Sequence, residues 1–452
     1  MAEGGHNRGE AELTGVVGNN MQLLASKFEM AKFSLQLPQI LYSLFLAAII
    51  IDVGGSFGLK YASFFIIVGY LLFSIAIQKK EIKIPFSFLI LEGGLFFIAP
   101  LVFLTLAIAV FSVKPSAALM EITPFGIWLL YPLFLLIRPK EKIISLFTNA
   151  LFFGAILIII IFCTICVFHF FGQNEMIQKI YIFSYEHNLG YFGIKPFNET
   201  NSLFFPNVYP RWTLLLIPAA VLLMKDNGKK FIIVALATLL TTSTAAILFM
   251  ICGIFWVCFN RIWAGKISKQ YAIKFILVIS IIFVFISVVY FLKYTYILEH
   301  IITKFEADSP STSVKIGHIH SILNYILSDP VILLVGMGVG STFWSIGTSS
   351  YVSNVEVSHF NLIRQFGLPY AMVFFLYVFV LFSRLYKLND EIGRPLAIGL
   401  MTLFVAAGTN PLLLSPIFFL VMVISRAYIT LIAREQRQSR IAHTKSIGGK
   451  HI

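Results

Sequence analysis

Apolar runs of roughly 20 residues recur along this chain, and they restrict its fold more than any other feature, because a bilayer accommodates such runs and a small soluble core does not. Segments 37–53, 61–78, 87–112, 121–137, 144–171, 210–224, 231–242, 243–259, 272–292, 367–384, 396–410 and 413–432 read as spans. In lipid a segment must satisfy its own backbone hydrogen bonds, so each becomes a helix. The fold class this predicts is an all-α polytopic integral membrane protein with about twelve transmembrane helices. Only 12% of the 452 residues are charged, against roughly 25% in soluble domains.

A formal charge of +13 would point a soluble protein towards nucleic acid. Here the basic residues fall in alternate short connections: Lys79, Lys80 and Lys83; Arg138, Lys140 and Lys142; Lys225, Lys229 and Lys230; Arg261, Lys266, Lys269 and Lys274; Arg384, Lys387 and Arg394. That alternation marks the cytoplasmic side, excludes nucleic acid as the partner, and puts both termini in the cytoplasm. Residues 1–36 form a cytoplasmic N-terminal segment without the features of a cleaved signal, residues 37–432 the membrane domain, and 433–452 a basic tail with Arg434, Arg437, Arg440 and Lys445. Thr241–Thr244 interrupt the run 231–259, and the basic stretches on both sides of it want the same side, so it is read as two spans. Cys163, Cys166, Cys252 and Cys258 lie within apolar segments and imply no disulfide framework.

Two connections on the outer side are too long to be mere links: 172–209 and 293–366. The first is rich in aromatics (Tyr185, Tyr191, Phe192, Phe197, Phe204, Phe205 and Tyr209, with Trp212 following) and ends in Asn207, Pro210 and Arg211. These rings either stack on sugars and line a lipid groove or form an interfacial belt, and Arg211 is either an anion ligand or an interface anchor. In the second loop Ile316, Ile319, Leu323, Ile326 and Leu327 predict an amphipathic helix over 314–328, which Asp329-Pro330 stops. Gly336, Gly338 and Gly340 then allow a tight turn that brings main-chain amides near a ligand. In 356–367 a continuous helix would put Glu356 and His359 on one face, with Arg364 about a turn further on. They would serve as base and orienting partner, or else cap and solubilise the span. Glu306 and Asp308 read as a solvated turn rather than a metal site, and Glu92 is an isolated carboxylate inside a span, a relay group or a packing element.

The order of these parts resembles the O-antigen polymerase and O-antigen ligase superfamily over roughly residues 140–430: an outer loop ending in Asn207 and Arg211, a threonine/serine break, and a second loop with Asp329-Pro330, Gly336, Gly338, Gly340 and Gly367. The resemblance implies a GT-C-type, metal-independent glycosyltransferase of the inner membrane, without a cofactor, acting on an undecaprenyl-diphosphate-linked oligosaccharide at the periplasmic face, with membrane lipid and a chain-length regulator as partners. Ligases of the superfamily carry His-Asn about ten residues before the glycine. Here Glu356 stands eleven before Gly367 and His359 eight before it, a departure that favours a polymerase over a ligase. The basic residue that follows the threonine in the family has no counterpart at Ser243-Thr244, and Lys315 stands where many members have arginine at the start of the surface helix. The expected catalytic residues are Glu356 and then His359. Arg211, Lys315 and Arg364, with Lys304 as a fourth, are the expected diphosphate ligands, because a departing diphosphate needs cationic donors. The competing class is a transporter or lipid-linked sugar flippase, which would show related halves and midplane charges.

Overall fold

The computed structural model describes residues 36–76, 84–196, 204–226, 228–263, 310–388 and 390–448, together with 273, 276, 280, 283 and 287 of the ninth expected span. The structure is mostly helical, and among the described residues seven helices are long and apolar enough to cross a membrane. In chain order these elements are α1 (Gln36–Ile51), α2 (Leu59–Ala76), α3 (Phe88–Ala109), α4 (Pro115–Leu136) and α5 (Glu141–Phe170). There follow α6 (Asn174–Glu186), strands β1 (Gly190–Pro196) and β2 (Phe204–Pro210), α7 (Leu216–Asp226), α8 (Gly228–Leu240) and α9 (Thr244–Trp263). The last part comprises α10 (Pro310–Ser328), α11 (Pro330–Val335), β3 (Phe343–Ser345), β4 (Ser350–Val352), α12 (Ser358–Lys387), α13 (Gly393–Ala406) and α14 (Pro416–Gly448).

The outward surfaces of these helices carry large apolar side chains such as Phe65, Leu72, Ile90, Ile98, Leu101 and Leu376, each more than half exposed. A continuous apolar surface of this kind needs lipid, not water, against it. Inside, α14 is the most enclosed of the seven long helices. Its Phe418 and Phe419 meet Phe374 of α12, and Phe419 meets Phe96 of α3 and Phe125 of α4.

The run 231–259 does break. α8 ends at Leu240, Thr242 adopts a left-handed φ of 51°, and the Ser243 hydroxyl accepts from the Ala246 amide to start α9. Both long loops contain short antiparallel hairpins that the sequence pattern does not announce, β1–β2 and β3–β4. Asp329 is also more than a stop: its carboxylate accepts from the Val331 amide and opens α11, with Pro330 at the first helical position.

Glu92 is not isolated. Its carboxylate pairs with Arg426 of α14, buried within the bundle, and accepts from the Tyr377 hydroxyl at 3.2 Å. Arg426 also donates to Thr430, which in turn meets Tyr131. The run 413–432 hid this arginine, because one charge barely changes the hydropathy of twenty residues. Around Glu92, α3 has two π-helical turns, Phe88–Glu92 and Gly94–Ile98. Pro100 has no amide hydrogen to give the preceding turn, and the Tyr370 hydroxyl satisfies the Leu95 carbonyl there.

Removing one member of such a pair leaves a charge buried without a partner. Glu92→Ala is expected to cost about 3–5 kcal/mol and to lower the thermal midpoint of the detergent-solubilised chain. Glu92→Ala combined with Arg426→Leu should recover most of that loss in the same scan.

Candidate functional site

The first outer loop is held by its own backbone. Gly172 turns the chain out of α5 with φ 66°, α6 runs back, and Asn188 (φ 55°) and Gly190 (φ 142°) lead into β1. The Arg211 amide closes the base of the hairpin on the Leu189 carbonyl at 3.0 Å. The Trp212 ring then fills the notch at Gly154 on α5, where a Cβ would meet it at 2.5 Å. Strand periodicity puts Asn207 and Tyr209 on one face of β2. That face meets the α8–α9 break: the Asn207 amide donates to the Thr242 hydroxyl at 2.7 Å, and Tyr209 hydrogen-bonds Ser243. The Oδ1 of Asn207 is buried and has no protein partner.

The second outer loop is pinned by Arg364. Its guanidinium is 0% exposed, and all five N–H groups go to neutral acceptors. Nε and one Nη2 hydrogen reach Asn361 Oδ1 at 3.0 and 2.8 Å, Nη1 reaches the carbonyl and hydroxyl of Ser341, both at 2.9 Å, and Nη2 reaches the Ser353 carbonyl at 2.6 Å. The Phe343 ring lies 4.7 Å below it, and Glu121 supplies a facing negative charge. The expected role of Arg364 as a diphosphate ligand does not fit this arrangement, because no donor is left for a phosphate.

The glycine motif is likewise turned inward. Gly336, Gly338 and Gly340 have φ of 75°, 90° and 75°. A Cβ at Gly336 would sit 2.5 Å from the Gln365 backbone, and one at Gly340 would sit 2.8 Å from that of Ala117 and Ala118. The motif lets the loop lie flat on α12 and α4, and its Met337 amide donates to the Arg364 carbonyl rather than to a ligand.

Above this floor α10 buries His318, Ile322 and Ile326 against Phe343, Val355 and Val357, a small core separate from that of the bundle. It brings Lys315 to Glu356, Nζ to Oε2 at 3.1 Å, with Glu356 more than half exposed. His318, which the reading of apolar spacing passed over, is 5% exposed, and its Nδ1 lies 2.5 Å from the Ser345 hydroxyl. Burial lowers its pKa, and the charge of Glu356 partly opposes this. Burial pushes the Tyr209 phenol up; Ser243 opposes that shift and Glu356 adds to it. Glu356 is thus electrostatically coupled to groups from both outer loops. The site gathers Asn207 and Tyr209, Thr242 and Ser243, and Lys315, His318 and Glu356.

His359 does not join it. α12 begins at Ser358, so Glu356 precedes the helix and the expected shared face does not exist. The His359 ring instead packs edge-on against Phe404 at 4.8 Å and tilted against Phe375 at 5.6 Å, and it hydrogen-bonds the Phe404 backbone. Arg211 is exposed and donates through Nη2 to Asn188 at 2.9 Å. Lys60 of α2 lies close enough to Arg211 for their charges to interact. Lys304, Glu306, Asp308 and Phe197 lie outside the described residues. Among the described residues no three His, Cys, Asp or Glu side chains are grouped to hold a metal ion. The four cysteines are free thiols. No protein-family model matches the chain, and no curated protein matches it.

Two outcomes follow. Arg364→Lys keeps the charge but cannot supply five donors in a plane, so limited proteolysis should cut within 336–357 at concentrations that leave the wild type intact. The folded pKa of His318 lies below the ordinary imidazole value of about 6.5, so the unfolded chain binds the extra proton more readily. Its contribution to stability is therefore full above that value and is lost as pH falls through it towards the folded pKa. His318→Gln should flatten the fall in thermal midpoint measured below about pH 6.5.

Proposed function

We propose that the chain is a membrane glycosyltransferase that polymerises a surface polysaccharide, moving a glycan from an undecaprenyl diphosphate carrier onto a lipid-linked repeat unit at the outer face of the inner membrane. The observation that carries this reading is that Asn207 and Tyr209 of the first long loop rest on the Thr242-Ser243 break, while the Lys315–Glu356 pair of the second lies near enough for the charge of Glu356 to act on Tyr209. These segments also carry the resemblance to the polymerase and ligase superfamily. A GT-C-type fold of about twelve spans belongs to the same proposal.

The reaction breaks the bond between the donor's anomeric carbon and the diphosphate oxygen and forms one between that carbon and an acceptor hydroxyl oxygen. The hydroxyl proton goes to Glu356, an exposed carboxylate with an ammonium group beside it. The departing diphosphate leaves with its charge, and Arg211 is the exposed guanidinium with a planar donor set for it. Arg364 holds the floor beneath Glu356 and does not touch substrate. The basic connections around Lys140, Lys230, Lys387 and Arg394 lie at the opposite ends of the same helices, which the charge rule assigns to the cytoplasm together with both termini. A ligase with histidine as base is less favoured, because His359 is enclosed by Phe375 and Phe404.

A second reading, a lipid-linked sugar flippase, draws on the buried Glu92–Arg426 pair, a charged group inside the bundle of the kind transporters use. Deletion and complementation of the gene separate the readings by the gel profile of surface polysaccharide. For the polymerase, deletion leaves lipid core bearing a single repeat unit. Glu356→Gln at wild-type expression should then restore no ladder, in keeping with a loss of about 10²–10⁴-fold when a general base is removed. Bare core with polymer retained on its carrier identifies a ligase; bare core with repeat units retained on the inner face identifies the flippase.

A further inference from the structure

Beside the hairpin lies a cavity of about 490 Å³ that the reaction chemistry above does not use. His169 at the end of α5, Asn174, Gln178 and Tyr181 of α6, and Tyr191 of β1 line it, with Ile177, Gly193 and Ile194 between them. Its lining among the described residues combines two phenol rings, two carboxamides and an imidazole with two isoleucines, and holds no lysine, arginine or carboxylate. The rings of Tyr181 and Tyr191 stand 5.2 Å apart at an angle of 58°, and the Tyr191 hydroxyl donates to the Ile194 carbonyl at 3.0 Å, which fixes that ring. Asn174, Gln178 and His169 are exposed.

A neutral sugar ring matches this lining. Its C–H face lies against an aromatic ring, and its hydroxyls both donate and accept, as a carboxamide does. The described lining offers a phosphate no cation, and a lipid tail would make no use of the carboxamides. The position also matters. In the β1–β2 register Tyr191 stands directly opposite Tyr209 and Gly193 opposite Asn207. The tyrosine of the cavity and the tyrosine coupled to Glu356 are therefore cross-strand neighbours, on strands about 5 Å apart.

We infer that this cavity is a saccharide subsite, where a neutral sugar of the glycan rests on Tyr181 and Tyr191 and is hydrogen-bonded by Asn174 and Gln178, one strand away from the centre at Glu356. The inference rests on the glycosyltransferase reading for the identity of its ligand. A glycan held there while its end reacts at Glu356 couples chain length to turnover, because each further sugar in the subsite slows release of the polymer.

The test uses the purified full chain in lipid nanodiscs and, as probe, the repeat-unit oligosaccharide freed by mild acid from the producing cells' surface polysaccharide. Affinity is read by saturation-transfer NMR titration on wild type, Gln178→Ala, Tyr191→Ala, Tyr191→Phe and Glu356→Gln, with circular dichroism to establish folding. Folded Gln178→Ala and Tyr191→Ala should bind at least about tenfold more weakly, a factor worth about 1.4 kcal/mol. Tyr191→Phe, which keeps the ring, and Glu356→Gln, outside the cavity, should bind within about threefold of wild type. In cells Gln178→Ala should shorten the ladder that Glu356→Gln abolishes. Unchanged affinity in the folded cavity variants, or no binding by wild type, overturns the inference. A deletion that leaves the ladder intact while the cavity variants still lose binding removes the polymerase reading and upholds the subsite.

Discussion

A guanidinium buried in a protein has lost all its water, and only a full set of acceptors makes that tolerable. Arg364 obtains them from Ser341, Ser353 and Asn361, three points spread over twenty-one residues of chain. Ser341 follows the last glycine of the motif, Ser353 follows β4, and Asn361 lies on the first turn of α12. One side chain thus fixes where the second outer loop begins, doubles back and rejoins the bundle. The glycines make room for it, since Gly336 and Gly340 lie against main chain where no side chain fits. The small core of α10 then settles on the pinned loop, and burying Ile322 and Ile326 there brings Lys315 to Glu356.

The first loop reaches the same place by a different constraint. Trp212 locked at Gly154 sets the height of β2 on α5, and the Asn207–Thr242 hydrogen bond ties β2 to the point where four hydroxyl residues interrupt the run of α8 and α9. A break at that point frees backbone and hydroxyl groups that a continuous span would have had to satisfy internally. The result is a polar patch with residues from both loops, built on rigid helices and open on the Glu356 side.

Much of the bundle is legible in the sequence because a span must be apolar for its whole length, so α2, α3 and α5 fall within a few residues of the runs that announce them. Gly367 reads as an edge and is one, since its backbone is non-helical there (φ 80°); what is not legible is that the stretch from Ser358 up to it is itself helical and meets the span at that kink. Arg426 is missed because hydropathy averages over a window, though a lone carboxylate at Glu92 was itself a sign that a cation should be sought in another span. The hairpin β1–β2 is hidden by Pro196, Pro206 and Pro210, which argue against strands yet are tolerated at edges. Lys315 and Glu356 were legible as chemistry but not as a pair, since they stand forty-one positions apart and meet only through the fold. His318 escaped notice because its own helix was read for its apolar stripe. His359 and Arg364 show the opposite error: residue types suited to catalysis and to anion binding were used for packing and for bracing the loop.

The account depends on the two outer loops and the helix break forming one site, and a disulfide cross-link measures that most directly. In a full-length chain with its four native cysteines replaced by alanine, Asn207→Cys and Thr242→Cys are combined and oxidised in native membranes. The 2.7 Å contact between the native side chains predicts rapid, near-complete cross-linking, seen as two fragments that stay joined after cleavage in the connection 225–230 and that reductant separates. If both cysteines react with a small thiol reagent but form no disulfide, β2 does not rest on the break, and the site described here does not exist.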